Sequence, residues 1–484
     1  MDSAVADETD WKAPFEQKEE VELVVSCLSS TGESLSLVTS KGQPWVVVTP
    51  LALPGETIRA RIYRNARLHS YADLLNVVEP NLEWRDMTRV KCKYFGKCAG
   101  CQYQMLSYEK QLDLKRTVVV KAYNNYSSLP SSSIPPILPT IASPCNMDTN
   151  PHSRPSADAG SKPDWLQIGF NKIGTRHVID IEECPIATPT LNKALGPLRD
   201  NIIKNIYTYK KGVSLLLRDS LEISSSSDDA ITPLQSPAPT PSNLATTTVP
   251  ETKSSSSDSD ELSSSFEKHL CITDHKGTIR ERVGDMLFEY TAGSFFQNSN
   301  SVLVPLTSYV HDAIFPQTNT AAAVSSPPTH LVDAYCGSGL FAITLSTHFE
   351  KVSGIELSAD SIRSATRNAE LNQLPDNKCT FLAGDASNIF ATVQGFPRDK
   401  TALIIDPPRK GTDEKFIDQM LDFGCSTVVY VSCNVHTQAR DVGMILRKSE
   451  EKLAGRKYVL ESLRGFDLFP QTAHVESVAV LRLV

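Results

Sequence analysis

The sequence predicts an α/β protein with a doubly wound, Rossmann-like domain at its carboxyl end, an amino-terminal all-β barrel and a small, β-rich central domain. From about residue 265 onward, strands alternate with helices, which is typical of a parallel sheet covered by helices. Short runs of alternating apolar and polar residues fill residues 15–80. The length of 484 residues suffices for roughly three domains. We therefore expect domains at 15–80, 81–290 and 291–484.

The first domain is expected to be a small β-barrel of the oligonucleotide-binding (OB) kind. Its apolar runs are separated by turn residues such as Thr31-Gly32 and Pro54-Gly55. Five short strands punctuated in this way are typical of that fold, although a small β-sandwich would share the pattern. The runs are VELVVSCLS, ESLSLVTS, PWVVVTP, TIRARIYRN and ADLLNVVEP.

The net charge of −8 is concentrated in two acidic segments and does not exclude a nucleic-acid partner. Residues 1–20 hold seven acidic and two basic side chains, and residues 220–265 hold seven and one. Nine basic and four acidic residues lie between Arg59 and Lys97, a local excess that suits phosphate binding. A solvated charged surface would give the same count. Because no run of about 20 apolar residues occurs, we expect no membrane span. We also expect the protein to be a monomer. It should reside inside the cell, in the cytoplasm, the nucleus or the mitochondrion.

Two inserts in the central domain are expected to be disordered. Residues 220–265 consist largely of Ser, Thr, Pro and Asp, and residues 127–163 contain SSLPSSSIPPILP followed by SRPSADAGSKP. Segments with so few large apolar residues cannot offset the entropy that ordering costs.

A glycine-rich turn predicts a nucleotide-like cofactor in the carboxyl-terminal domain. The stretch Asp333-Ala-Tyr335-Cys-Gly337-Ser-Gly339-Leu-Phe-Ala fits the pattern G-x-G-x-x-A between an apolar strand and a helix. Glycine lets the backbone turn tightly and approach a ligand closely. Glu356 ends the next strand about 20 residues later, where a carboxylate can bind both hydroxyls of a ribose. These residues fit NAD and S-adenosylmethionine nearly equally.

Two aspartates follow later strands of the same sheet. Asp385, in LAGDAS, is placed to meet an adenine amino group, although an Asp in this place is equally often a helix N-cap. The segment Asp406-Pro-Pro-Arg409 follows LII, and its prolines stiffen the turn so that both charged side chains project over the cofactor crevice. A turn rigidified only for stability is the alternative. An amino-group methylase would place an aromatic residue where Arg409 stands, so amine methylation is disfavoured.

A thiol and a carboxylate complete the reactive residues at this crevice. Cys433, in Val-Ser-Cys-Asn at the end of a strand, is a candidate nucleophile, although most cytosolic cysteines behave as small buried hydrophobes. Glu476 immediately precedes the last apolar strand and is a candidate general base, although by itself it would be taken for a surface residue.

A group of cysteines in the central domain predicts a metal site. Cys92, Cys98 and Cys101 lie in KCKYFGKCAGC, and Cys184, in IEECPI, is the expected fourth ligand. Close thiol spacing in a chain without a secretion signal is typical of metal binding rather than of disulfides. Four thiolates can hold zinc or an iron–sulfur cluster, and Pro185 after the last cysteine weakly favours the cluster.

Taken in order, these motifs are similar to those of the RNA uracil-C5 methyltransferase family, and most of all to its eukaryotic, fungal-type tRNA members. The resemblance rests on Ser294-Phe-Phe-Gln297-Asn298, the glycine turn, Ser432-Cys433-Asn434 and His474-Val475-Glu476. Residues 15–80, with the LALPGE turn, resemble the family's TRAM domain. The resemblance covers nearly the whole chain apart from the two inserts.

The resemblance implies a role for each site residue. Cys433 would be the nucleophile, Glu476 the general base, and Arg409 would stabilise charge at the uracil O4. The cofactor-binding residues would be Gln297, Tyr335, Gly337, Gly339, Glu356, Asp385 and Asp406. The residues Cys92, Cys98, Cys101 and Cys184 would hold a 4Fe-4S cluster, with zinc the less favoured alternative.

The implied reaction is methylation of C5 of a uridine in tRNA, at position 54 of the T loop, with S-adenosylmethionine as the methyl donor. Uracil C5 is a weak nucleophile, so Cys433 would add to C6 to activate it, and Glu476 would then remove the C5 proton. The target base would have to leave its stack. The amino-terminal barrel and the Arg59–Lys97 stretch would hold the tRNA.

Several alternatives remain open at this point. The cysteine group also occurs in an rRNA-modifying branch of the family, so an rRNA uridine is the alternative substrate, and a cytosine is a further one. An NAD-dependent dehydrogenase would use the same glycine turn but gives no account of the Cys433 motif. An RNA-binding or maturation protein without catalysis would need only the barrel. Leu340 stands where some relatives place an Asn that contacts the cofactor, so that contact should be missing.

Overall fold

The computed structural model describes most of the chain outside the two acidic segments. The described residues are 12–40, 43–144, 162–222, 267–316, 327–384, 390, 393, 395–453 and 455–484. Of the predicted disordered inserts, 145–161 and 223–265 lie outside the described residues, as does the predicted cofactor residue Asp385.

The amino-terminal domain is an all-β unit whose six strands form one sheet. Its strands are β1 (Glu20–Val24), β2 (Cys27–Leu28), β3 (Ser34–Ser40), β4 (Gln43–Thr49), β5 (Thr57–Ala66) and β6 (His69–Glu79). They are ordered β1-β5-β6-β4-β3-β2, so the two edge strands are neighbours in sequence. Alternate residues such as Ile58, Ala60 and Ile62 are buried, as the two-residue period of a half-exposed strand requires.

The first predicted strand is divided in the structure. Val25 N donates to Glu56 O (2.9 Å), whereas Ser26 N donates to Leu35 O (2.8 Å), so the chain leaves one edge of the sheet and joins the other at this point. Apolar residues continue through the break, and Leu23, Val25 and Leu28 on its two sides are all buried. This is why pattern alone predicts five strands where the structure has six.

The middle of the chain contains more helix than its predicted β-rich character suggests. Its elements are α1 (Tyr108–Tyr126), β7 (Leu138–Ile141), α2 (Pro189–Asn205), β8 (Arg218–Leu221), β9 (His269–Ile272), β10 (Thr278–Val283), β11 (Met286–Thr291) and α3 (Leu303–Ile314). The strands β8 and β9 pair as one antiparallel ribbon, and β10 and β11 pair as another.

The carboxyl-terminal domain contains the doubly wound sheet that the sequence predicts. Its elements are β12 (His330–Ala334), α4 (Leu340–Thr344), β13 (Lys351–Glu356), α5 (Ala359–Leu371), β14 (Cys379–Ala383), β15 (Thr401–Ile405), α6 (Glu414–Phe423), β16 (Thr427–Ser432), α7 (Val435–Lys452), β17 (Tyr458–Phe466) and β18 (Glu476–Leu483). The sheet has eight strands in the order β14-β13-β12-β15-β16-β18-β17-β7. Pairing is parallel from β14 to β16, and β18 is antiparallel to both of its neighbours.

The prediction of disorder is wrong for residues 127–144, which the structure orders against this sheet. The strand β7 pairs in parallel with β17 and becomes the eighth strand. Ser127, the residue after α1, lies against α7, where its backbone carbonyl O leaves no room for a side chain on Gly443. The boundary drawn between the central domain and the sheet domain is therefore crossed by α1 and β7. Composition could not show this, because the order comes from contacts distant in sequence.

An apolar core packs against each face of the sheet. One core packs α1, α6 and α7 against one face, with Val119, Phe416 and Leu463 fully buried. The other packs α3 and α4 against the opposite face, with Leu306, Phe341 and Val429 buried. In the described part of the chain, every helix is too short or too polar to cross a lipid bilayer.

Candidate active site

The register of the parallel strands brings the predicted cofactor residues to one edge of the sheet. Ala334 pairs with Ile355 on one side and with Ile405 on the other. Tyr335, Glu356 and Asp406 are the next residues on the three strands, so they lie side by side above the carboxyl ends of β12, β13 and β15. This is the edge at which doubly wound sheets bind ligands.

The glycine turn leaves open space over the backbone. A methyl group placed on Gly339, whose φ is +90°, would be 2.9 Å from Cδ1 of Ile343, so a side chain is excluded there. Gly337, with a φ of +53°, has no atom within 4 Å of the position of a Cβ. Asp333 closes the turn from below, because its Oδ2 accepts from Ala342 N (2.9 Å). The open side of Gly337 is therefore available to a ligand.

Glu356 borders the open turn. Its Oε2 accepts from Gly337 N (3.4 Å) and its Oε1 from Ser358 N (3.0 Å), which fixes the carboxylate while leaving further lone pairs unused. Tyr335 beside it has a φ of +63°, a conformation that non-glycine residues seldom adopt and that often marks functional sites. Leu340, for which the resemblance implies a missing cofactor contact, is buried in the core.

The cofactor edge of the cleft is strongly acidic. Burial, together with repulsion from the Asp406 and Glu356 carboxylates, raises the pKa of Asp333 to about 8. Burial, reinforced by repulsion from Glu356, also raises the pKa of Asp406. A ligand that carries positive charge or several hydrogen-bond donors would relieve this repulsion.

Cys433 follows β16 directly and faces the same cleft. It is half-buried, and burial raises the pKa of its thiol to about 11, with the Glu476 and Asp406 carboxylates adding to the shift. The Arg409 guanidinium acts in the opposite direction, because it hydrogen-bonds the sulfur and attracts the thiolate charge. The thiol is therefore close to both predicted partners, Glu476 and Arg409.

Glu476 lies beside Cys433 because β18 runs antiparallel to β16. Ser477 in β18 pairs with Ser432 in β16, so the start of one strand meets the end of the other. Glu476 is 1% exposed, and neither of its carboxylate oxygens has a hydrogen-bond partner among the described residues. Burial raises its pKa well above the ordinary value, with repulsion from Asp406 adding to the shift. A buried carboxyl group without partners is costly and is typical of a functional group.

The two loops that carry Arg409 and Cys433 are tied together. Asn434 Nδ2 donates to Arg409 O (2.9 Å), and Asn434 Oδ1 caps α7 by accepting from His436 N. Behind them, the buried Asp441 accepts from Thr412 N (2.8 Å) and from the Tyr430 hydroxyl (2.7 Å). Asp441 was not predicted from the sequence, because nothing local marks it as the anchor of a loop 29 residues away.

The loop before Glu476 is held by a buried lysine. Lys115 of α1 is fully buried, its Nζ lies 3.0 Å from Asp467 Oδ1, and it donates to the carbonyl oxygens of Phe469 (3.1 Å) and His474. Tyr108 donates to the other oxygen of Asp467 (2.8 Å). Lys115 thus forms two hydrogen bonds and one ion pair, and all three partners belong to the loop 467–475.

Gln102 joins this loop to the rest of the molecule. Its backbone N donates to Gln471 O (2.7 Å), and its Oε1 accepts from Ala473 N (2.9 Å). Its Nε2 donates to Thr31 O in the amino-terminal domain (2.6 Å). Gln102 directly follows Cys101. Its side chain therefore joins the cysteine segment both to the amino-terminal sheet and to the loop before Glu476.

Gln297 lies in a different loop from the residues above. It is 9% exposed, and its neighbour Phe296 stacks on Tyr290 with ring centroids 4.5 Å apart. Arg218 fixes the loop by donating to Ser294 O (3.0 Å). Phe296 belongs to the core that also holds Phe341, which follows the glycine turn, so the loop is tied to the cofactor side of the cleft.

The four predicted metal ligands line one cavity of about 290 Å³. Burial raises the pKa of all three thiols in the first segment, to about 12 for Cys101, and repulsion among the thiolates adds to this. The thiols are not joined in disulfides. In the part of the chain that the structure describes, no three His, Cys, Asp or Glu side chains are grouped for a single metal ion. Cys92, Cys98, Cys101 and Cys184 thus share the lining of one cavity.

Most of the basic stretch is neutralised within the protein. Arg59 and Arg61 pair with Glu20, and Arg85 pairs with the buried Glu56 (2.5 Å). Further ion pairs join Arg89 to Asp86 and Lys93 to Glu182. These pairs reduce the free positive charge of Arg59–Lys97, and the expectation that this stretch holds RNA stays a prediction.

The cleft has an open glycine turn beside acidic side chains on one side and a thiol beside a buried carboxylate on the other. Such a division suits transfer of a group from a ligand to an acceptor that the thiol activates. With the doubly wound sheet, it defines an enzyme of the α/β methyltransferase class.

Comparison with known proteins identifies the family, within this class, to which the chain belongs. The sequence profile described as tRNA (Uracil-5-)-methyltransferase matches residues 278–483. The tRNA (uracil(54)-C(5))-methyltransferase of Schizosaccharomyces pombe is 41% identical over 473 residues, covering 97% of this chain and 80% of the relative. The enzyme of the same name from Saccharomyces cerevisiae is 35% identical, covering 94% and 72%. The protein therefore belongs to the tRNA (uracil-5-)-methyltransferase family.

A solved structure shares the fold over nearly the whole chain. The Pyrococcus abyssi tRNA (uracil-54, C5)-methyltransferase, in complex with S-adenosyl-L-homocysteine, superposes with a TM-score of 0.57 at 21% identity. The match covers 95% of this chain and 99% of that one. The sequence profile and the two fungal relatives confirm the predicted resemblance to the uracil-C5 methyltransferases, and this structure shows the shared fold.

Proposed function

We propose that the protein methylates C5 of uridine 54 in tRNA with S-adenosylmethionine, through transient covalent addition of Cys433 to the uracil ring. The observation that carries the proposal is the meeting of Cys433 and the unpartnered Glu476 where β16 and β18 pair. The two fungal relatives are named for this reaction.

The glycine-turn side of the cleft fits S-adenosylmethionine. When bound, this cofactor supplies an electrophilic methyl group on a positively charged sulfur. The open space over Gly337 admits a ligand, and Glu356 is positioned for ribose hydroxyls. The mutual repulsion of Asp333, Glu356 and Asp406 favours a cation. We assign the remaining contacts to Gln297, Tyr335, Gly339 and Asp385.

The protein's own residues then carry the reaction on the uracil. Cys433 Sγ forms a bond to C6, and the ring electrons move through C5 and C4 onto O4, where Arg409 offsets the negative charge. C5, now nucleophilic, takes the methyl group. Glu476 removes the remaining proton from C5, and the C6–S bond breaks to return the Cys433 thiolate.

The amino-terminal sheet is proposed to be a TRAM-like, OB-type barrel at residues 15–80 that binds the RNA. Its edge strands β1 and β2 are joined by only two residues, Val25 and Ser26, which draws the edges of the sheet together. Small closed sheets of this type present one face to oligonucleotides.

The cysteine cavity is proposed to hold a 4Fe-4S cluster through Cys92, Cys98, Cys101 and Cys184. Four thiols around a space of about 290 Å³ suit a cluster better than one zinc ion, which needs ligands converging on a point. Protein purified without oxygen should contain about four irons and equal sulfide per chain. A Cys101→Ser variant should lose most of this iron, and bound zinc without sulfide in the wild type would overturn the assignment.

The function is tested by methyl transfer to unmodified tRNA transcripts, with the position of 5-methyluridine mapped in the product. We expect one modified uridine, at position 54, and no product from Cys433→Ala, which should still bind tRNA. Cys27→Ala, in the amino-terminal sheet, is the matched control and should retain activity. Methylation of rRNA but not tRNA, or full activity in Cys433→Ala, would refute the proposal.

A further inference from the structure

A hairpin in the central domain presents two cations that no acidic side chain neutralises. Residues 171–178 are closed by a backbone bond from Lys172 N to His177 O (2.8 Å) and turn at Gly174, whose φ is +70°. Lys172 and Arg176 are exposed, and the stretch NKIGTRHV contains no acidic residue. Neither cation forms an ion pair with any residue that the structure describes.

The hairpin is fixed to the cysteine segment, which adds a third cation. Ile173 N donates to Lys97 O (2.9 Å), and Ala99 N donates to Asn171 O (2.9 Å). Lys97 has no ion pair within the described ranges either, unlike most of the basic stretch around it. The backbone bonds hold these cations on a defined support rather than on a free loop.

An aromatic group lies on the neighbouring sheet of the amino-terminal domain. Tyr63 points outward from β5 and is 40% exposed. Its ring centroid lies 6.2 Å from that of Tyr71, and the Arg64 guanidinium lies 4.1 Å above the Tyr71 ring. Aromatic rings on the outer face of a sheet do nothing for the core beneath it, and their π-faces suit stacking on bases.

The hairpin and the aromatic group meet. A methyl group on Gly174 would be 4.0 Å from the Tyr63 hydroxyl oxygen, so the tip of the hairpin lies over the end of β5. The acids that act on Tyr63 are Asp73 and Glu33, and Glu33 is engaged by the Ser29 hydroxyl (2.9 Å). The combined surface keeps an excess of positive charge.

We propose that this surface, made of Tyr63, Arg64, Lys97, Lys172 and Arg176, binds an unpaired stretch of the RNA substrate. Tyr63 would stack on an exposed base, and the cations of the hairpin and Lys97 would contact phosphates. The inference deepens the proposed function and rests on tRNA being the substrate. Unpaired RNA fits better than a protein partner, because protein interfaces have a buried core poor in charge, whereas loops of RNA offer splayed bases and phosphates.

The surface is connected to the catalytic cleft. Tyr63 lies in the same sheet as β3, and the turn before β3 supplies Thr31 O to Gln102 Nε2. Gln102 in turn holds Ala473, three residues before Glu476. RNA bound at the surface would thus lie beside the loop 467–475, which positions the proposed general base, Glu476.

The role of the cations is tested by binding of an unmodified tRNA transcript at several salt concentrations. The variant Lys172→Glu/Arg176→Glu should bind at least tenfold more weakly at low salt. Its salt slope should fall by roughly 1.4, or about 0.7 for each phosphate that the variant no longer neutralises. The control is Lys121→Glu/Lys351→Glu, which makes the same charge change on two exposed lysines of α1 and β13. Affinity for tRNA equal to that of this control would overturn the proposal.

The stacking contribution needs a separate variant. Tyr63→Ala should weaken tRNA binding by roughly fivefold or more with an unchanged salt slope, and Tyr63→Phe, which keeps the ring, should bind normally. Equal affinity of the Ala and Phe variants would exclude stacking. Unfolding midpoints show whether each variant is folded.

Binding and methyl transfer, measured together, separate this surface from the proposed reaction. If the wild type binds tRNA through these residues but methylates no uridine, the proposed function fails and the surface stands. If it methylates uridine 54 and the variants bind normally, the surface fails alone.

Discussion

Burial disfavours the charged forms of both Cys433 and Glu476 in the cleft. Burial raises the pKa of each group, and their mutual repulsion with Asp406 adds to the shifts. The proposed reaction needs a thiolate and a carboxylate. Arg409 lowers the pKa of both groups, so it should govern how readily the thiol ionises.

The pH dependence of Cys433 alkylation tests this role of Arg409. Because the pKa of the thiol is about 11, the rate of iodoacetamide modification in the free enzyme should rise with pH up to about that value. Arg409→Met removes a group that lowers this pKa, so at pH 9 the variant should react roughly two- to tenfold more slowly.

Peptide mass spectrometry follows Cys433 and Cys27 in the same sample. The rate at Cys27, in the amino-terminal sheet, should be equal in both proteins. Faster alkylation of Cys433 in Arg409→Met would contradict the assigned role.

Individual residues of the cofactor edge could be predicted because each directly follows an apolar strand. Glu356, Asp406 and Cys433 need only the strand boundaries to be placed correctly. Asp441 and Lys115 were missed, because each acts through partners far along the chain, Thr412 and Asp467. Their local sequence is that of an ordinary helix.

The loop 467–475 is the element on which the proposed base depends. It carries no regular structure, and its shape is set by bonds from Lys115, Gln102 and Gln111. Of these residues, Lys115 should matter most for stability, because without it Asp467 would remain buried without a positively charged partner.

Lys115→Met should therefore destabilise the protein by about 3–5 kcal/mol, the usual cost of breaking a buried ion pair. Chemical denaturation followed by fluorescence measures the change in free energy of unfolding. Lys121→Met, on the exposed side of the same helix, is the control and should change it by less than about 0.5 kcal/mol.

A second variant separates charge from packing. Lys115→Met/Asp467→Asn removes both charges and should be more stable than Lys115→Met alone. A single variant as stable as the wild type would show that the ion pair does not hold the loop.

Elements differed in how well sequence patterns predicted them. The strands β15 and β16 are largely apolar runs, and β12 and β13 flank the glycine turn, so the sequence predicts all four within a few residues. The helix α1 was missed because its Thr-Val-Val-Val run suggests a strand, and packing of Val118 and Val119 in the core overrides that preference. The strand β7 was missed because it is short and contains Pro139, which edge strands tolerate.

At the scale of the whole molecule, three parts of the chain contact the loop 467–475, which precedes the proposed general base, Glu476. The amino-terminal sheet reaches it through Thr31, the cysteine segment through Gln102, and α1 through Lys115. Gly32 shows how close this packing is, since a methyl group there would be 2.8 Å from Cβ of Ala473. The domains expected from composition are thus joined by specific contacts that no local pattern reveals.

The central claim is that Cys433 bonds to the uracil ring and that Glu476 is needed to release it. Incubation of Glu476→Gln with tRNA and S-adenosylmethionine should give a covalent protein–RNA adduct on a denaturing gel. After nuclease and protease digestion, mass spectrometry should place a methylated uridine on the peptide that contains Cys433. Absence of an adduct in a variant that binds tRNA, or attachment at another cysteine, would contradict the account.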